Sequence, residues 1–230
     1  RAGGVPTLEM QILVPIQEHD EFNTNIVDIV DKLKQDSFYT QLARKAYNRE
    51  FDAFVLTRAI SNFERSFISG NSAYDQYKFQ NNKNALTQAQ INGMNLFFSP
   101  RANCSQCHSD FNFTNYKFEN NGLFEQYKDS GRMRLTKLES DRARFKVPTL
   151  RNIALTAPYM HSGSFQTLED VIEHYNSGGK IHTNKSPVIK PLNLSSTEKQ
   201  ELVEFLKSLT DPSFVHNQNL KKSFLIRRLK

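Results

Sequence analysis

Five consecutive residues, Cys104-Ser105-Gln106-Cys107-His108, constrain this chain more than any other feature. Cys-x-x-Cys-His is the attachment sequence for a c-type haem. Two thiols three positions apart lie on one side of a helical turn, from which they can form thioether bonds to both vinyl groups of one porphyrin. His108 then follows as the proximal ligand of the iron. A redox Cys-x-x-Cys is expected near a βαβ pattern and a structural zinc needs four ligands, and the sequence offers neither.

The composition agrees with a haem protein of one large or two modest domains. The 230 residues are enough to bury a core without disulfides. Even with the nine glycines added, the 38% of hydrophobic residues falls a little short of the usual ~45–50%, and a buried porphyrin would supply some of the missing apolar surface. The formal charge of +6 is scattered except for a cluster near the C-terminus, which comprises Lys221, Lys222, Arg227, Arg228 and Lys230.

Charge and hydropathy also exclude some classes of function. Aromatic and basic residues are not interleaved in the way that indicates nucleic-acid binding. No run approaches the ~20 apolar residues of a transmembrane segment. The sequence begins with Arg1 and contains no signal peptide. Since covalent haem attachment takes place outside the cytoplasm, we expect a leader to have been removed from this chain.

Hydrophobic periodicity predicts an all-α fold without strands of useful length. Apolar residues recur at helical spacing over residues 25–33 and 51–68, and Gly70 is expected to cap the second stretch. Residues 109–145 have no sustained period and are expected to form long loops around the haem. Three later helices should begin at the capping residues Thr87, Thr167 and Ser195. The last of them should bury Leu202, Val203, Phe205, Leu206 and Leu209.

A polar run at residues 80–84 predicts a linker between two domains. We therefore expect a first domain at residues 1–80, a second at 81–211, and a basic tail at 212–230.

The residue opposite His108 on the iron is left open by the sequence alone. A methionine ligand raises the reduction potential and is typical of an electron carrier, whereas tyrosine is an anionic oxygen ligand suited to ferric and higher states. A methionine can equally fill a core, and a tyrosine can be half-buried at a helix end. The candidates are Met160, His161, His174, Tyr175, His182 and His216.

The chain resembles the bacterial di-haem cytochrome c peroxidase family, which includes the methylamine-utilisation enzyme MauG. The resemblance extends to about Asp211 and includes the haem motif, the Pro-Thr-Leu-Arg-Asn block at 148–152 and the Pro-Tyr-x-His-x-Gly block at 158–163. Other matching segments are Phe63-Glu64-Arg65, Leu86-Thr87, Leu96-Phe97, Asn121-Gly122-Leu123, Asp129-Ser130-Gly131-Arg132 and Thr167-Leu168-Glu169.

The resemblance implies two cytochrome c-like haem domains. In the family an N-terminal haem is the peroxide site, and a C-terminal haem passes electrons to it. The single motif of this chain matches the C-terminal haem, so the resemblance implies one haem c here and two in the intact protein. Residues 1–22 match the middle of the N-terminal domain, which predicts proteolysis or a shortened chain, because half a domain is not a stable unit.

The resemblance also implies the iron ligands. Cys104 and Cys107 hold the haem, and His108 is proximal. The other axial ligand of the family lies at Tyr175, where peroxidases of the family have methionine and MauG has tyrosine. Met160 falls where the family often has an aromatic residue, which makes it the second candidate.

Further roles carry over by position. Glu21 matches the catalytic acid at the peroxide haem and Gln11 its neighbour, and His161 of the Pro-Tyr-x-His block is expected to be catalytic as well. A carboxylate over an open iron can move a proton between the oxygens of peroxide. The family's bridging tryptophan has no counterpart, because the chain has no Trp.

Two more groups of residues have implied roles. Arg151 is expected to contact a haem propionate, with a structural salt bridge as the alternative. The carbonyl groups of Thr156 and Pro158 match positions that help to bind calcium.

Three functions are then in competition. The first is a periplasmic, often dimeric, peroxidase that reduces hydrogen peroxide with electrons from a small cytochrome or cupredoxin. The second is a MauG-like oxidase of another protein or small molecule, which a tyrosine ligand would favour. The third is a plain single-haem electron carrier without catalysis.

Overall fold

The computed structural model describes residues 4–220, and their regular structure is almost entirely helical. The all-α prediction is therefore confirmed. The chain divides into two compact units, the first ending at Ile68 and the second beginning at Ser69. Of the expected basic tail, residues 221–230 lie outside the described residues. Each helix in the described part is too short or too polar to cross a bilayer.

Most helices of the first unit begin at a side-chain cap. Asn25 Oδ1 accepts a hydrogen bond from the Asp28 amide (2.9 Å), and Asp52 Oδ1 accepts one from the Val55 amide (2.9 Å). Its buried core is formed by Ala43, Phe51 and Val55. The helices are α1 (Leu8–Gln11), α2 (Leu13–Gln17), α3 (Ile26–Leu33), α4 (Ser37–Tyr47) and α5 (Ala53–Arg65).

The helix predicted over residues 51–68 ends earlier than expected. It stops at Arg65, and Ser66 is its cap, so Gly70 does not cap it. The Ser66 hydroxyl donates to the Phe63 carbonyl at 2.6 Å. Such a local side-chain bond competes with continuation of the helical ladder.

The second unit carries the haem motif. Its helices are α6 (Ala73–Phe79), α7 (Gln88–Phe97), α8 (Met133–Thr136), α9 (Leu168–Asn176), α10 (Ser196–Lys207) and α11 (Pro212–Val215). Two short strands, β1 (Phe118–Glu119) and β2 (Phe145–Lys146), pair antiparallel with Phe118 opposite Lys146. The first strand lies within the stretch that lacks a hydrophobic period, residues 109–145, and the second begins at its end.

Helices α7 and α10 cross at the centre of this unit. A Cβ at Gly93 would collide with the Glu201 carbonyl oxygen, so only glycine permits this approach. The Phe97 and Phe205 rings then meet with centroids 5.1 Å apart. The predicted stripe of α10 is confirmed, since Leu202, Val203, Phe205, Leu206 and Leu209 are all buried. The capping boxes expected to start α7 and α10 are present at Thr87 and Ser195.

Helix α6 belongs to the second unit, although composition placed the boundary after it, at residues 80–84. The Tyr74 amide donates to the Ser208 carbonyl at 3.2 Å. Asp75, one residue on, forms a buried ion pair with Arg151. These contacts are remote in sequence, so a composition shift could not reveal them.

Candidate haem site

The haem motif folds as a tight turn in which both sulfurs are partly buried. Residues Cys104–Gln106 form one turn of 3-10 helix, and the His108 amide donates to the Cys104 carbonyl at 3.0 Å. Neither Cys104 nor Cys107 is in a disulfide. Burial raises the pKa of Cys104 to about 12 and also raises the pKa of Cys107. Both sulfurs are therefore protonated thiols at neutral pH rather than the thiolates that bind metals directly.

A metal site made of side chains alone does not account for this motif. Within residues 4–220, no group of three or more His, Cys, Asp or Glu side chains is arranged to hold a metal ion. The zinc alternative needs four such ligands. The thiols and the imidazole remain as the chemically distinctive groups, and they are the set that a c-type haem requires.

His108 is held in the orientation of a proximal ligand. Its Nδ1 lies 2.9 Å from the Phe113 carbonyl oxygen. Burial lowers the pKa of His108, opposed by the carbonyls of Phe113 and Pro148, so the ring is neutral. A neutral imidazole carries one proton, and the Phe113 carbonyl oxygen can only accept. The proton is therefore on Nδ1, which donates to Phe113, and the lone pair is on Nε2. A second hydrogen bond of this kind is what normally fixes and strengthens a metal-binding histidine.

The side-chain amide of Asn121 contacts Met160 and Tyr175, the two leading candidates for the ligand opposite His108. Asn121 Nδ2 donates to the Met160 sulfur at 3.2 Å and to the Tyr175 hydroxyl at 3.4 Å. Tyr175 is near the end of α9, whose N-terminal capping box at Thr167 is present as predicted.

Tyr175 also lies within electrostatic reach of the haem motif. Burial raises its pKa, the hydrogen bond from Asn121 opposes that rise, and charge on Cys107 or Cys104 would raise the pKa further. The tyrosine therefore lies near both cysteines, although they are more than 65 residues apart in sequence. Met160, which the family resemblance ranked second after Tyr175, contacts the same Asn121 amide.

The remaining histidine candidates have other partners. His174 Nε2 lies 3.0 Å from the Asn121 carbonyl oxygen, and burial lowers the His174 pKa. His182 Nδ1 accepts from the Asn184 amide at 3.0 Å. His216 forms the C-terminal cap of α11.

His161 lies in an aromatic cluster. Its ring stacks on Phe145 with centroids 3.8 Å apart, and it also stacks on Tyr127 at 5.7 Å. Burial lowers the His161 pKa, opposed by the charge of Asp129, so the imidazole is neutral at pH 7. Its catalytic role stays a prediction.

Arg151 adopts the salt bridge that was its alternative role. Its two terminal nitrogens donate to Asp75 at 2.7 and 2.9 Å, and Nε donates to the Phe111 carbonyl at 2.8 Å. All three nitrogens of the guanidinium are thus used within the protein. Contact between Arg151 and a haem propionate stays a prediction. It requires one guanidinium nitrogen to donate to the propionate as well as to its present partner.

The residues assigned to peroxide and calcium chemistry lie at exposed positions. In the first unit, Gln11 ends α1, and Glu21 is in the loop between α2 and α3. In the second unit, Thr156 and Pro158 are exposed, and the Thr156 hydroxyl donates to the Ile153 carbonyl at 3.1 Å. Their roles stay predictions.

Two residues had no role assigned from the sequence: Asn121, which contacts both candidate ligands, and Asp75, which pairs with Arg151. Asn121 was visible only as part of a matching Asn-Gly-Leu segment without a role, and Asp75 only as a helix residue. The sequence signal for Asn121 was the glycine that follows it. In the structure Gly122 has a φ of +67°, a left-handed conformation that favours glycine and fixes the path of the loop. A buried acid facing Arg151 has no local signature.

The donor set fits a covalently attached haem. Two protonated thiols are available for thioether bonds, His108 has its lone pair on Nε2, and a phenol and a thioether that both contact Asn121 are available as further ligands. These residues would be Cys104, Cys107, His108, and Tyr175 or Met160.

Comparison with known proteins gives the same assignment. The family model described as di-haem cytochrome c peroxidase matches residues 1–84. The methylamine utilization protein MauG of Methylorubrum extorquens is 33% identical over 211 residues, covering 90% of this chain and 59% of that protein. The cytochrome c551 peroxidase of Nitrosomonas europaea is 37% identical over 159 residues, covering 67% of this chain and 44% of that protein.

Solved structures extend the match to the fold. A MauG-like protein associated with microbial copper homeostasis superimposes with a TM-score of 0.88 at 30% identity, covering 96% of this chain and 73% of that one. The diheme peroxidase BthA of Burkholderia thailandensis shares the fold, with a TM-score of 0.75 at 23% identity over 93% of this chain and 66% of that one. The chain spans about 60% of the length of the MauG relatives that it matches. By sequence and by fold, it belongs to the di-haem cytochrome c peroxidase and MauG family.

Proposed function

We propose that this chain is the electron-transfer part of a di-haem peroxidase-family oxidoreductase that reduces hydrogen peroxide. The observation that supports the proposal is that Tyr175, on a distant helix, lies near Cys104 and Cys107, which come immediately before the oriented imidazole of His108. A haem c bound there would supply a one-electron carrier. Reduction of one peroxide to two waters takes two electrons and two protons, so electrons must arrive singly and be collected.

The protein groups around this site hold the ligands and limit access by water. The Phe113 carbonyl keeps the proton of His108 on Nδ1, so the Nε2 lone pair would be available to bind the haem iron. Phe113 is itself buried, at 1% exposure, and therefore holds this carbonyl in a fixed place. Cys104 and Cys107 would hold the haem through thioether bonds. These groups position the cofactor and leave proton chemistry to a separate site.

The peroxide site is proposed to use Glu21 and Gln11, with His161 as a further candidate. A carboxylate such as Glu21 can accept a proton from one peroxide oxygen and return it to the other, which is general acid–base catalysis. This reaction requires the second haem of the family. Calcium at Thr156 and Pro158, a homodimer, a periplasmic location and a small cytochrome or cupredoxin as electron donor complete the proposal.

A MauG-like oxidase is the second candidate, and one observation favours it. The candidate ligand on helix α9 that lies near the cysteines is Tyr175, and phenolate oxygen suits higher oxidation states of iron better than thioether sulfur does. The substrate would then be another protein or a small molecule rather than a donor cytochrome. The third candidate, a plain electron carrier, would be favoured by Met160.

Ligand identity and turnover separate these functions. The haem-loaded chain should bind one haem, measured as pyridine haemochrome per polypeptide. Tyr175→Phe should change the spectrum of the oxidised protein, whereas Met160→Leu should leave it unchanged. The reverse result would assign Met160 and favour the electron carrier.

Turnover is measured on the full gene product with its complete haem content. Peroxide-dependent oxidation of a reduced cytochrome, lost in Glu21→Gln, would support the peroxidase. Unchanged turnover in Glu21→Gln would refute the role of Glu21. A protein that carries its haems yet consumes no peroxide would refute the peroxidase itself.

A further inference from the structure

The loop after β1 places one side chain against both candidate ligands. Asn121 follows the fully buried Asn120 and precedes Gly122. At Gly122 a Cβ would approach the Lys180 carbonyl oxygen to 2.7 Å, so the loop passes this point only with glycine. The Lys180 amide donates to the Gly122 carbonyl at 2.6 Å. The backbone of Asn121 is therefore held on both sides.

The loop is also fixed to the helix that carries Tyr175. His174 Nε2 lies 3.0 Å from the Asn121 carbonyl oxygen. Because His174 and Tyr175 are neighbours on α9, this contact sets the distance between the loop and the tyrosine. A shift of the loop would have to move the helix end with it.

The orientation of the Asn121 amide is determined by its neighbours. Its Oδ1 accepts a hydrogen bond from the Leu123 amide at 3.2 Å. Nδ2 must then point the other way, where the Met160 sulfur and the Tyr175 oxygen lie at 3.2 and 3.4 Å. An amide nitrogen carries two hydrogens, and this one has one acceptor for each.

We propose that Asn121 is the positioning residue for the iron ligand opposite His108: it donates to the Tyr175 oxygen, keeps the Met160 sulfur beside it, and sets the reduction potential of the haem. The inference rests on the proposed function, since it assumes a haem at this site. It adds a residue to which the family resemblance gave no role.

The expected direction follows from the charge of the ligand. A hydrogen bond donated to an anionic oxygen stabilises its charge and reduces the electron density that it gives to iron. The reduced iron is then favoured relative to the oxidised iron. Loss of the donor should therefore lower the reduction potential.

The experiment compares variants of the haem-loaded chain. Asn121→Leu removes the donor, and Asn121→Asp keeps the acceptor for Leu123 but removes the donor. Both should change the ratio of oxidised to reduced haem at a fixed ambient potential by about tenfold, which is about 59 mV for one electron. Haem content, optical spectrum and reduction potential are measured on each. If Asn121→Leu fails to fold, Asn121→Asp is compared with Asn115→Asp, which adds the same negative charge close to the haem motif without touching either candidate ligand. A larger fall in reduction potential for Asn121→Asp than for Asn115→Asp then measures the loss of the donor.

Asn115 provides a matched control. Its Oδ1 accepts from the Lys117 amide at 2.9 Å, and its Nδ2 donates to the Gln106 carbonyl at 3.0 Å. It therefore makes the same kinds of bond close to the haem motif, but to neither candidate ligand. Asn115→Leu should lower thermal stability. It should change the ratio of oxidised to reduced haem at the same ambient potential by about twofold at most, well below the tenfold change expected for the Asn121 variants.

Three results would be decisive. If Tyr175→Phe alters the spectrum but both Asn121 variants keep the wild-type potential, the role of Asn121 is refuted while the proposed function stands. If the Asn121 and Asn115 variants shift the potential equally, the role is structural and the inference fails. If Tyr175→Phe leaves the spectrum unchanged, the ligand assignment within the proposed function fails first.

Discussion

The buried ion pair between Asp75 and Arg151 allows the sharpest test of how the second unit is held together. Their side chains are 1% and 4% exposed, and two hydrogen bonds of 2.9 and 2.7 Å join them. Asp75 also accepts from the Ser72 amide and hydroxyl, at 2.9 and 2.6 Å. Asp75→Asn would leave the guanidinium of Arg151 buried without a counter-charge.

The magnitude follows from the burial of both partners. Removing one member of a buried pair costs about 3–5 kcal/mol, since the remaining charge is neither solvated nor paired. For a protein of this size one kcal/mol corresponds to about 2–4 °C in melting temperature, so a fall of about 10 °C is expected. Thermal unfolding of the haem-loaded chain, followed at the haem absorption band, reports on the unit that carries the pair.

An exposed pair serves as the control. Glu139 and Arg142 are bonded at 2.7 Å, but their side chains are 70% and 44% exposed. Glu139→Gln should leave the melting temperature unchanged, because water and salt screen such pairs. The double variant Asp75→Leu with Arg151→Met should recover much of the stability lost in Asp75→Asn.

Two outcomes would contradict this reasoning. The first is a melting temperature for Asp75→Asn equal to that of Glu139→Gln. The second is a double variant no more stable than the single one. The double variant also tests the propionate prediction, because removing an Arg151 that bonded a propionate would change the reduction potential, whereas Glu139→Gln would not.

Two further predictions concern helix packing and pH. Gly93→Ala should destabilise the chain by about 1–3 kcal/mol in urea unfolding, because the new Cβ meets the Glu201 carbonyl; equal or greater stability would show that the helices separate freely. The Arg101 guanidinium holds the pKa of Glu198 at about 2, below its ordinary 4.5. The pair between Glu198 and Arg101 stabilises the fold fully above pH 4.5, and this stabilisation is lost as the pH falls towards 2. The melting temperatures of wild type and Glu198→Gln should therefore converge on acidification, and a constant difference would refute the assignment.

The helix starts were predictable because their signals are local. The boxes at Thr87 and Ser195 each join a side chain to the backbone three residues later, so the sequence contains both partners. The stripe of α10 is equally local, since a 3.6-residue period determines which side of a helix is buried. The haem motif belongs to this class, because its three reactive groups lie within five residues.

Tertiary contacts explain what could not be predicted. Asp75 and Arg151 are 76 positions apart, and neither has a neighbour that indicates the other. The polar run at residues 80–84 is typical of a linker, yet α6 before it packs with the unit that follows. Composition measures the solvent exposure of a segment, whereas a unit boundary depends on which distant residues the segment contacts.

The choice between Tyr175 and Met160 shows where a sequence argument stops and geometry continues it. Chemistry alone left six candidates, because histidine, methionine and tyrosine all bind haem iron, and the family resemblance put Tyr175 first and Met160 second. The structure adds that Met160 has a φ of +69°, a left-handed conformation that costs a non-glycine residue about 1–3 kcal/mol. Tyr175 instead stands on a capped helix, where a ligand is held without backbone strain. Because one Asn121 amide contacts both, we expect Met160 to act as a second acceptor that fixes the amide and Tyr175 to be the iron ligand.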